Sequence, residues 1–416
     1  MTSFNGFFYI LMFLAVLGVS GQEYLPGTAK PPLRDSAAAA PDLGSQAAAL
    51  LDASTGVLLY AKNAEEEIPP ASLTKLMTMH IALNEVYAGK ASLDEIVPLP
   101  REAWASSQPP RSSRMSLAQG QRVSLQDLFL GMAIPSGNDA AVAVALRFAP
   151  TVEEFAALMN QEARRFGLSK TRFVEPSGLS EDNMTTAIEF ARFCAAYLSL
   201  HPETLKAYHS VRSFAFPRPE NVPEAFQSNP GTVIRRNNNL LLDELEGVDG
   251  LKTGYIDESG YNIALTAERE GTRFVAVILG APAVWGGERI RDDDGKKLLT
   301  WAFEYFKTLR PAIGPVEPVR IWKGKNNQAE LIPAYTPVLT VQKERGISVS
   351  MERRIIGPVI APLPKGTALG TMILYDNYGE LTRIPLITAS EQEQGGFFKR
   401  IADSLRLFFS RLFGNG

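Results

Sequence analysis

From Pro311 to about residue 388 the sequence shows no helical period and reads instead as short β-rich segments, among them VRIWK, PVLTV, ISVSM and TMILYD, separated by Gly, Pro and polar turns. Before Pro311 the pattern is different: helical-period segments alternate with apolar strands. One hydrophobic layer arrangement cannot serve both halves. A chain of 416 residues also exceeds the roughly 250 to 300 residues at which single cores stop growing. Two domains are therefore expected, helices packed on a sheet over 46–310 and a small all-β domain over 311–390.

In the first of these, AALLD and VLLYA flank Ala53-Ser54-Thr55-Gly56 as a hairpin over 47–61. Helices are predicted over 72–88, over 125–148 with a break at Pro135-Ser136-Gly137-Asn138, and over 152–166, 186–200 and 294–307. Tyr261 to Glu268 and Arg273 to Gly280 form a second hairpin, whose VAVILG run is apolar on both faces, as a covered strand requires.

The net charge of -3 gives no basic field for a polyanion, so no nucleic-acid partner is expected. Residues 7–19, FFYILMFLAVLGV, are too short for an ordinary span and precede small residues at Ser20 and Gly21, a signal-peptide pattern over 1–21, although no Lys or Arg precedes the run. An uncleaved anchor is the alternative. Residues 22–45 read as an Ala- and Pro-rich leader. The one cysteine, Cys194, rules out a lipoprotein signal and an intramolecular disulfide.

Three triplets carry chemistry. In Pro70-Ala71-Ser72-Leu73-Thr74-Lys75 a helix starts at or next to Ser72, and the i, i+3 spacing lets the Lys75 amine reach the Ser72 hydroxyl. Unpaired N–H groups at that helix start can face a developing oxyanion. By itself this is equally a solvated helix face with a Ser cap. Ser136-Gly137-Asn138 offers a hydroxyl to relay a proton and an amide to hold a carbonyl, or simply a helix cap. Lys252-Thr253-Gly254 sets an ammonium and a hydroxyl beside a Gly, either on a strand edge against which substrate backbone can lie or in a type II turn.

Together, in this order, the three triplets resemble the signature of penicillin-binding proteins and class A β-lactamases. The wider context is similar to the low-molecular-weight D-Ala-D-Ala carboxypeptidases: Gly247-Val248-Asp249-Gly250-Leu251 and Ser259-Gly260-Tyr261-Asn262 around the third triplet, Pro176-Ser177-Gly178-Leu179, Lys296-Lys297-Leu298-Leu299, Ala361-Pro362-Leu363-Pro364-Lys365-Gly366, and Gly395-Gly396-Phe397-Phe398-Lys399-Arg400. The resemblance implies an α/β (α+β) β-lactamase/transpeptidase-like domain with a mainly antiparallel sheet. It implies a serine-type carboxypeptidase removing the terminal D-alanine of peptidoglycan stem peptides, inhibited covalently by β-lactams, with no cofactor or metal. The same fold also serves D,D-endopeptidases, weak β-lactamases and silent wall-binding proteins.

Carried over, the resemblance makes Ser72 the acylated residue, Lys75 the base, and Ser136 with Asn138 the relay and substrate guide. Lys252 and Thr253, with Gly254 beside them, would hold the substrate carboxylate, and the backbone N–H groups of Ser72 and Tyr255 would form the oxyanion hole. Arg291 matches the family arginine that pairs with the terminal carboxylate, unless it is a surface charge in its Arg-Asp-Asp-Asp run. The sequence departs from the family at Tyr255 and at Arg236-Asn237-Asn238. Glu175-Pro176 resembles the deacylating segment of class A β-lactamases but lacks its Asn, since Leu179 stands there, so Glu175 reads as structural. His80, His201 and His209 supply no spaced metal set and read as surface or packing.

Over 391–416, Phe397, Phe398, Ile401, Leu405, Phe408 and Leu412 share a helical face, while Lys399, Arg400, Arg406 and Arg411 against Asp403 give a local charge of +3. This amphipathic helix is expected to bind a membrane surface, and the protein to act at the periplasmic face of the cytoplasmic membrane. A helix docked on the β-rich domain is the alternative.

Overall fold

The computed structural model describes residues 40–343, 349–376 and 379–412; the expected signal peptide and most of the leader lie outside them. Before Phe306 the framework is one five-stranded sheet. β1 (Ala47–Asp52) and β2 (Leu58–Lys62) form the expected hairpin, and β3 (Val248–Ile256), β4 (Gly260–Arg269) and β5 (Thr272–Ala281) complete the order β2-β1-β5-β4-β3, antiparallel throughout. β5 is the centre, which is why its VAVILG run is apolar on both faces. Val275, Val277 and Leu279 join Ala47, Ala49 and Leu51 in a core with the helices on one side. On the opposite face Phe274 packs its ring 4.8 Å from that of Phe303.

The helices are α1 (Lys75–Tyr87), α2 (Leu125–Ala133), α3 (Asn138–Phe148), α4 (Val152–Arg165), α5 (Ala187–Leu200) and α6 (Gly287–Tyr305). Side-chain caps fix three of their starts: Ser124, Thr151 and Thr186 accept from the N–H groups of Asp127, Glu154 and Glu189.

The predicted helix over 294–307 is corrected at both ends. It begins seven residues earlier because its acidic run is not a loop. Asp294 is buried, accepting from Gly44 N (3.0 Å), Ser45 N (2.8 Å) and Ser45 Oγ (2.6 Å). Gly295 has no side chain because a Cβ there would lie 2.6 Å from Leu265 Cδ1. The helix stops at Tyr305 because Phe306–Leu309 is a strand, β6, paired with Leu339–Gln342.

The chain divides into two compact units between Tyr305 and Phe306, ahead of the 310/311 boundary read from composition. The second unit adds β7 (Val319–Trp322), β8 (Gln328–Ala329), β9 (Leu331–Pro333), β10 (Leu339–Gln342), β11 (Ser350–Ile355), β12 (Val359–Ile360), β13 (Ala368–Asp376) and β14 (Gly379–Thr388). Its largest sheet runs β9-β14-β13-β11, around a core that includes Ile321, Met372, Leu374, Ile384 and Leu386. The chain then forms α7 (Phe397–Leu412). This helix meets the β7–β8 connection of its own unit through polar groups: Lys323 N donates to the buried Asp403 carboxylate (2.8 Å), and Lys399 Nζ donates to Asn327 Oδ1 (2.6 Å). Its Phe397, Phe398, Ile401, Leu405, Phe408 and Phe409 are exposed.

Candidate active site

Contacts bring the three triplets together from distant parts of the sequence: Lys75 bonds Ser72 and Asn138, and Gly254 lies against the backbone of Pro70 and Ser72. Ser72 sits in a tight 3-10 turn, Ala71–Thr74, that leads into α1. The turn is bent by Ala71, whose φ is +50°. Ser136, in the break between α2 and α3, has φ +61°. Each left-handed non-glycine residue costs of order 1 kcal/mol, so two of the triplets are held in strained backbone by their surroundings. β3 carries the third triplet at the sheet edge. Gly254 is required there: a Cβ would lie 2.9 Å from Pro70 O and 3.0 Å from Ser72 N.

The Lys75 amine is the hub. It is fully buried, and Nζ lies 2.9 Å from Ser72 Oγ, 2.7 Å from Asn138 Oδ1 and 2.5 Å from the Ser177 carbonyl. Asn138 Oδ1 and Ser177 O bring no hydrogen of their own. A neutral amine that donates its two hydrogens to them keeps its lone pair for the Ser72 hydroxyl. Burial drives the Lys75 pKa down to about 7, opposed by the charges of Glu175 and Asp139. The neutral form of the amine is thus within reach near neutral pH without its leaving its partners.

Lys252 is buried as well, and its Nζ donates to Thr253 O at 2.8 Å. Burial, then the neighbouring charges of Lys75 and Arg291, hold its pKa well below the usual lysine range. A carboxylate bound beside these basic groups would favour the protonated form of Lys252. Arg291 is 6% exposed and bonded to Asp292 through Nε (2.9 Å) and Nη2 (2.8 Å), so it is not a surface charge. Ser136 Oγ is buried and has no hydrogen-bond partner among the described residues. Tyr255 is 42% exposed, with its ring 4.4 Å from that of Tyr261. Its hydroxyl donates to Asp257 (2.6 Å), which pushes its pKa up to about 12.

Two supports were not read from the sequence. Asp139 accepts from the N–H groups of Met115 (2.8 Å), Ser116 (2.8 Å) and Leu117 (3.0 Å), strapping that segment over the start of α3. Its place beside the Ser136 triplet in a first helical turn was the available signal. The second is the Ser177 carbonyl, whose segment Pro176-Ser177-Gly178-Leu179 carries the family resemblance without indicating this contact. The three histidines are buried, with His80 Nδ1 2.8 Å from His201 Nε2 and His209 Nε2 2.9 Å from Tyr197 Oη. Among the described residues no group of three or more His, Cys, Asp or Glu is arranged to hold a metal ion.

Comparison with known proteins gives the same direction. Residues 34–283 match the family model for D-alanyl-D-alanine carboxypeptidase, and 307–394 that for the penicillin-binding protein 5 C-terminal domain. The chain is 33% identical over 384 residues to the D-alanyl-D-alanine carboxypeptidase DacC of Escherichia coli (strain K12), covering 90% of this chain and 91% of that one. Its fold is similar to that of penicillin-binding protein 5 from Haemophilus influenzae, with a TM-score of 0.75 and 29% identity, over 85% of this chain and 99% of the other. Penicillin-binding protein D2 from Listeria monocytogenes, solved in an ampicillin-bound form, matches with a TM-score of 0.53 and 31% identity over 63% of this chain and 100% of its own.

Proposed function

The chain belongs to the D-alanyl-D-alanine carboxypeptidase family, and from that premise we propose that it removes the terminal D-alanine of stem peptides through an acyl-enzyme on Ser72. The observation that carries the reading is the arrangement at Lys75, whose two N–H acceptors leave a lone pair for the Ser72 hydroxyl. Lys75 takes the Ser72 proton as Oγ bonds to the carbonyl carbon of the penultimate D-alanine. The backbone N–H groups of Ser72 and Tyr255 receive the oxyanion. The C–N bond then breaks, and the proton passes through the Ser136 hydroxyl to the departing D-alanine amine. Asn138 orients the peptide, while Lys252, Thr253 and Arg291 hold the carboxylate of the leaving residue. Water, activated by the same amine, hydrolyses the ester and regenerates Ser72.

A β-lactam presents a strained amide to the same nucleophile, and the ampicillin-bound relative supports covalent inhibition of this chain. The test is intact-protein and peptide mass spectrometry after incubation with penicillin, together with assay of free D-alanine from a D-Ala-D-Ala peptide. One adduct on the Ser72 peptide with D-alanine release supports the reading. Cleavage of cross-linked peptide without free D-alanine assigns an endopeptidase instead, and rapid turnover of penicillin a β-lactamase.

The exposed apolar side of α7 supports binding of the tail to the membrane surface, in keeping with action at the periplasmic face. Among the described residues no helix is long and apolar enough to cross a membrane. Large apolar side chains contribute about 1.5 to 3 kcal/mol each at most on burial, and each basic residue near an anionic leaflet about 1 kcal/mol. Deletion of 395–416 is expected to release an active enzyme from anionic liposomes in a co-sedimentation assay. Continued pelleting, or unfolding, contradicts it.

A further inference from the structure

Between Phe173 and Thr185 the chain makes a loop that touches the nucleophile segment at four points. Ser177 O accepts from Lys75 Nζ, and Pro176 O accepts from Thr78 Oγ1 at 2.7 Å. Asn183 Nδ2 lies 3.3 Å from Thr74 Oγ1. Gly178, with φ +83°, runs so close to Ala71 that a Cβ would lie 1.8 Å from its carbonyl oxygen. A loop of this kind has few hydrogen bonds of regular structure to fix it, so something else must.

That something is the half-buried carboxylate of Glu175. Its Oε2 accepts from Ser177 N (2.7 Å) and Ser177 Oγ (2.6 Å). Its Oε1 accepts from Gly178 N (2.6 Å), Asn183 Nδ2 (2.8 Å) and, more weakly, Ser180 N (3.4 Å). Asn183 closes the loop from the other end, where its Oδ1 accepts from Val174 N at 2.7 Å. Only an anionic acceptor with two oxygens satisfies all of these donors. We propose that Glu175 is the positioning residue of the base: it folds the loop that holds the Ser177 carbonyl against Lys75 Nζ, and its charge faces that buried amine.

The proposal rests on Ser72 as nucleophile and Lys75 as base. The charged groups around Lys75 come from three elements: Glu175 from the loop, Asp139 from α3 and Lys252 from β3. Glu175 is the larger of the two anionic influences that oppose the effect of burial on Lys75. Removing its charge therefore lowers the Lys75 pKa and lets the base lose its proton at lower pH. The carboxylate itself is saturated by loop donors, which makes it a support and not a proton acceptor in the reaction.

The experiment compares Glu175→Gln and Glu175→Asp by the pH dependence of kcat/KM for D-alanine release, by the rate of penicillin acylation and by melting temperature. Glu175→Gln turns an amide N–H toward the Ser177 N–H. It is expected to lose roughly 10- to 100-fold in kcat with little change in KM, as misplacement of a reacting group does. Its acid limb is expected to move to lower pH by ~0.5 to 1 unit. Glu175→Asp keeps the charge on a shorter arm and is expected to lose rate while its limb stays at the wild-type position. A loop filler would lower the rate in both variants and move the limb in neither, and that result overturns the proposal, as does an unchanged rate. If Glu175→Gln does not fold, Ser177→Ala takes its place, since it deletes only the hydroxyl bond to the carboxylate; a kcat lowered several-fold at constant KM supports the proposal, and an unchanged kcat sinks it. A penicillin adduct away from Ser72 in the wild-type protein defeats the underlying reading, whereas an adduct on Ser72 with an unmoved limb defeats only the role of Glu175.

Discussion

The two units of the chain handle buried polarity in opposite ways. In the first, two lysines, an arginine and carboxylates such as Asp139 and Asp292 are taken almost wholly out of water close to the three triplets. In the second, charged groups form ion pairs at the surface, such as Lys325–Glu393, around an apolar core, and among the described residues Asp403 is the buried acidic one. Buried charge is costly unless it is paired or neutralised. The first unit buries such groups beside the three triplets and also at Asp52, Asp127, Glu189 and Asp294, where backbone or side-chain donors such as those of Gly44 and Ser45 offset the cost.

The sharpest way to break this contrast is Ser72→Ala. It should cut D-alanine release by ~10⁴-fold or more and abolish the penicillin adduct, while melting temperature stays at the wild-type value. Residual activity above that level would move the chemistry elsewhere. The second unit should answer in the reverse sense. Ile384→Ala, at a fully buried position, should cost that unit ~2 to 5 kcal/mol in denaturant unfolding and leave kcat/KM for a soluble peptide unchanged.

Arg291→Ala comes next, with kcat/KM expected to fall roughly 10- to 150-fold through loss of a charge-assisted contact to the leaving carboxylate. An unchanged value would make Arg291 a partner of Asp292 alone. The Lys75 pKa of about 7 sharpens the comparison further. A base at Lys75 would work unprotonated, so kcat/KM should rise with pH through about 7 and fall ~10-fold per unit below it; a flat profile from pH 5 to 8 would contradict the assignment. The smallest effect belongs to the exposed pair: Lys325→Ala should alter neither melting temperature nor activity measurably.

How much of this was legible in the sequence depends on the range of the determining interactions. The break at Pro135-Ser136-Gly137 and the β1–β2 hairpin are local events, written in turn residues. The 287–305 helix was misread at both ends because distant partners decide it: the Gly44 and Ser45 donors draw Asp294 inward, and Gln342 claims Phe306 as a strand residue. At the site, the side chains that carry motifs were visible, but what holds them was not. Asp139 acts through backbone N–H groups more than 20 residues away, and Ser177 contributes a carbonyl that every residue type shares. Asn183 donates to Glu175 from eight residues further on, a spacing that no helix or strand period anticipates.

The strand order also sets a timetable. β1 ends at Asp52, and its partner β5 begins at Thr272, 220 residues later (272 − 52). At ~5 to 20 residues per second, the β1–β2 hairpin leaves the ribosome roughly 10 to 45 s before the strand that covers its open edge. Gly44 and Ser45 wait longer still for Asp294. Until then β1 can meet the helices that share its core but not the strand that pairs its open edge, and contacts of such long range make closure slow.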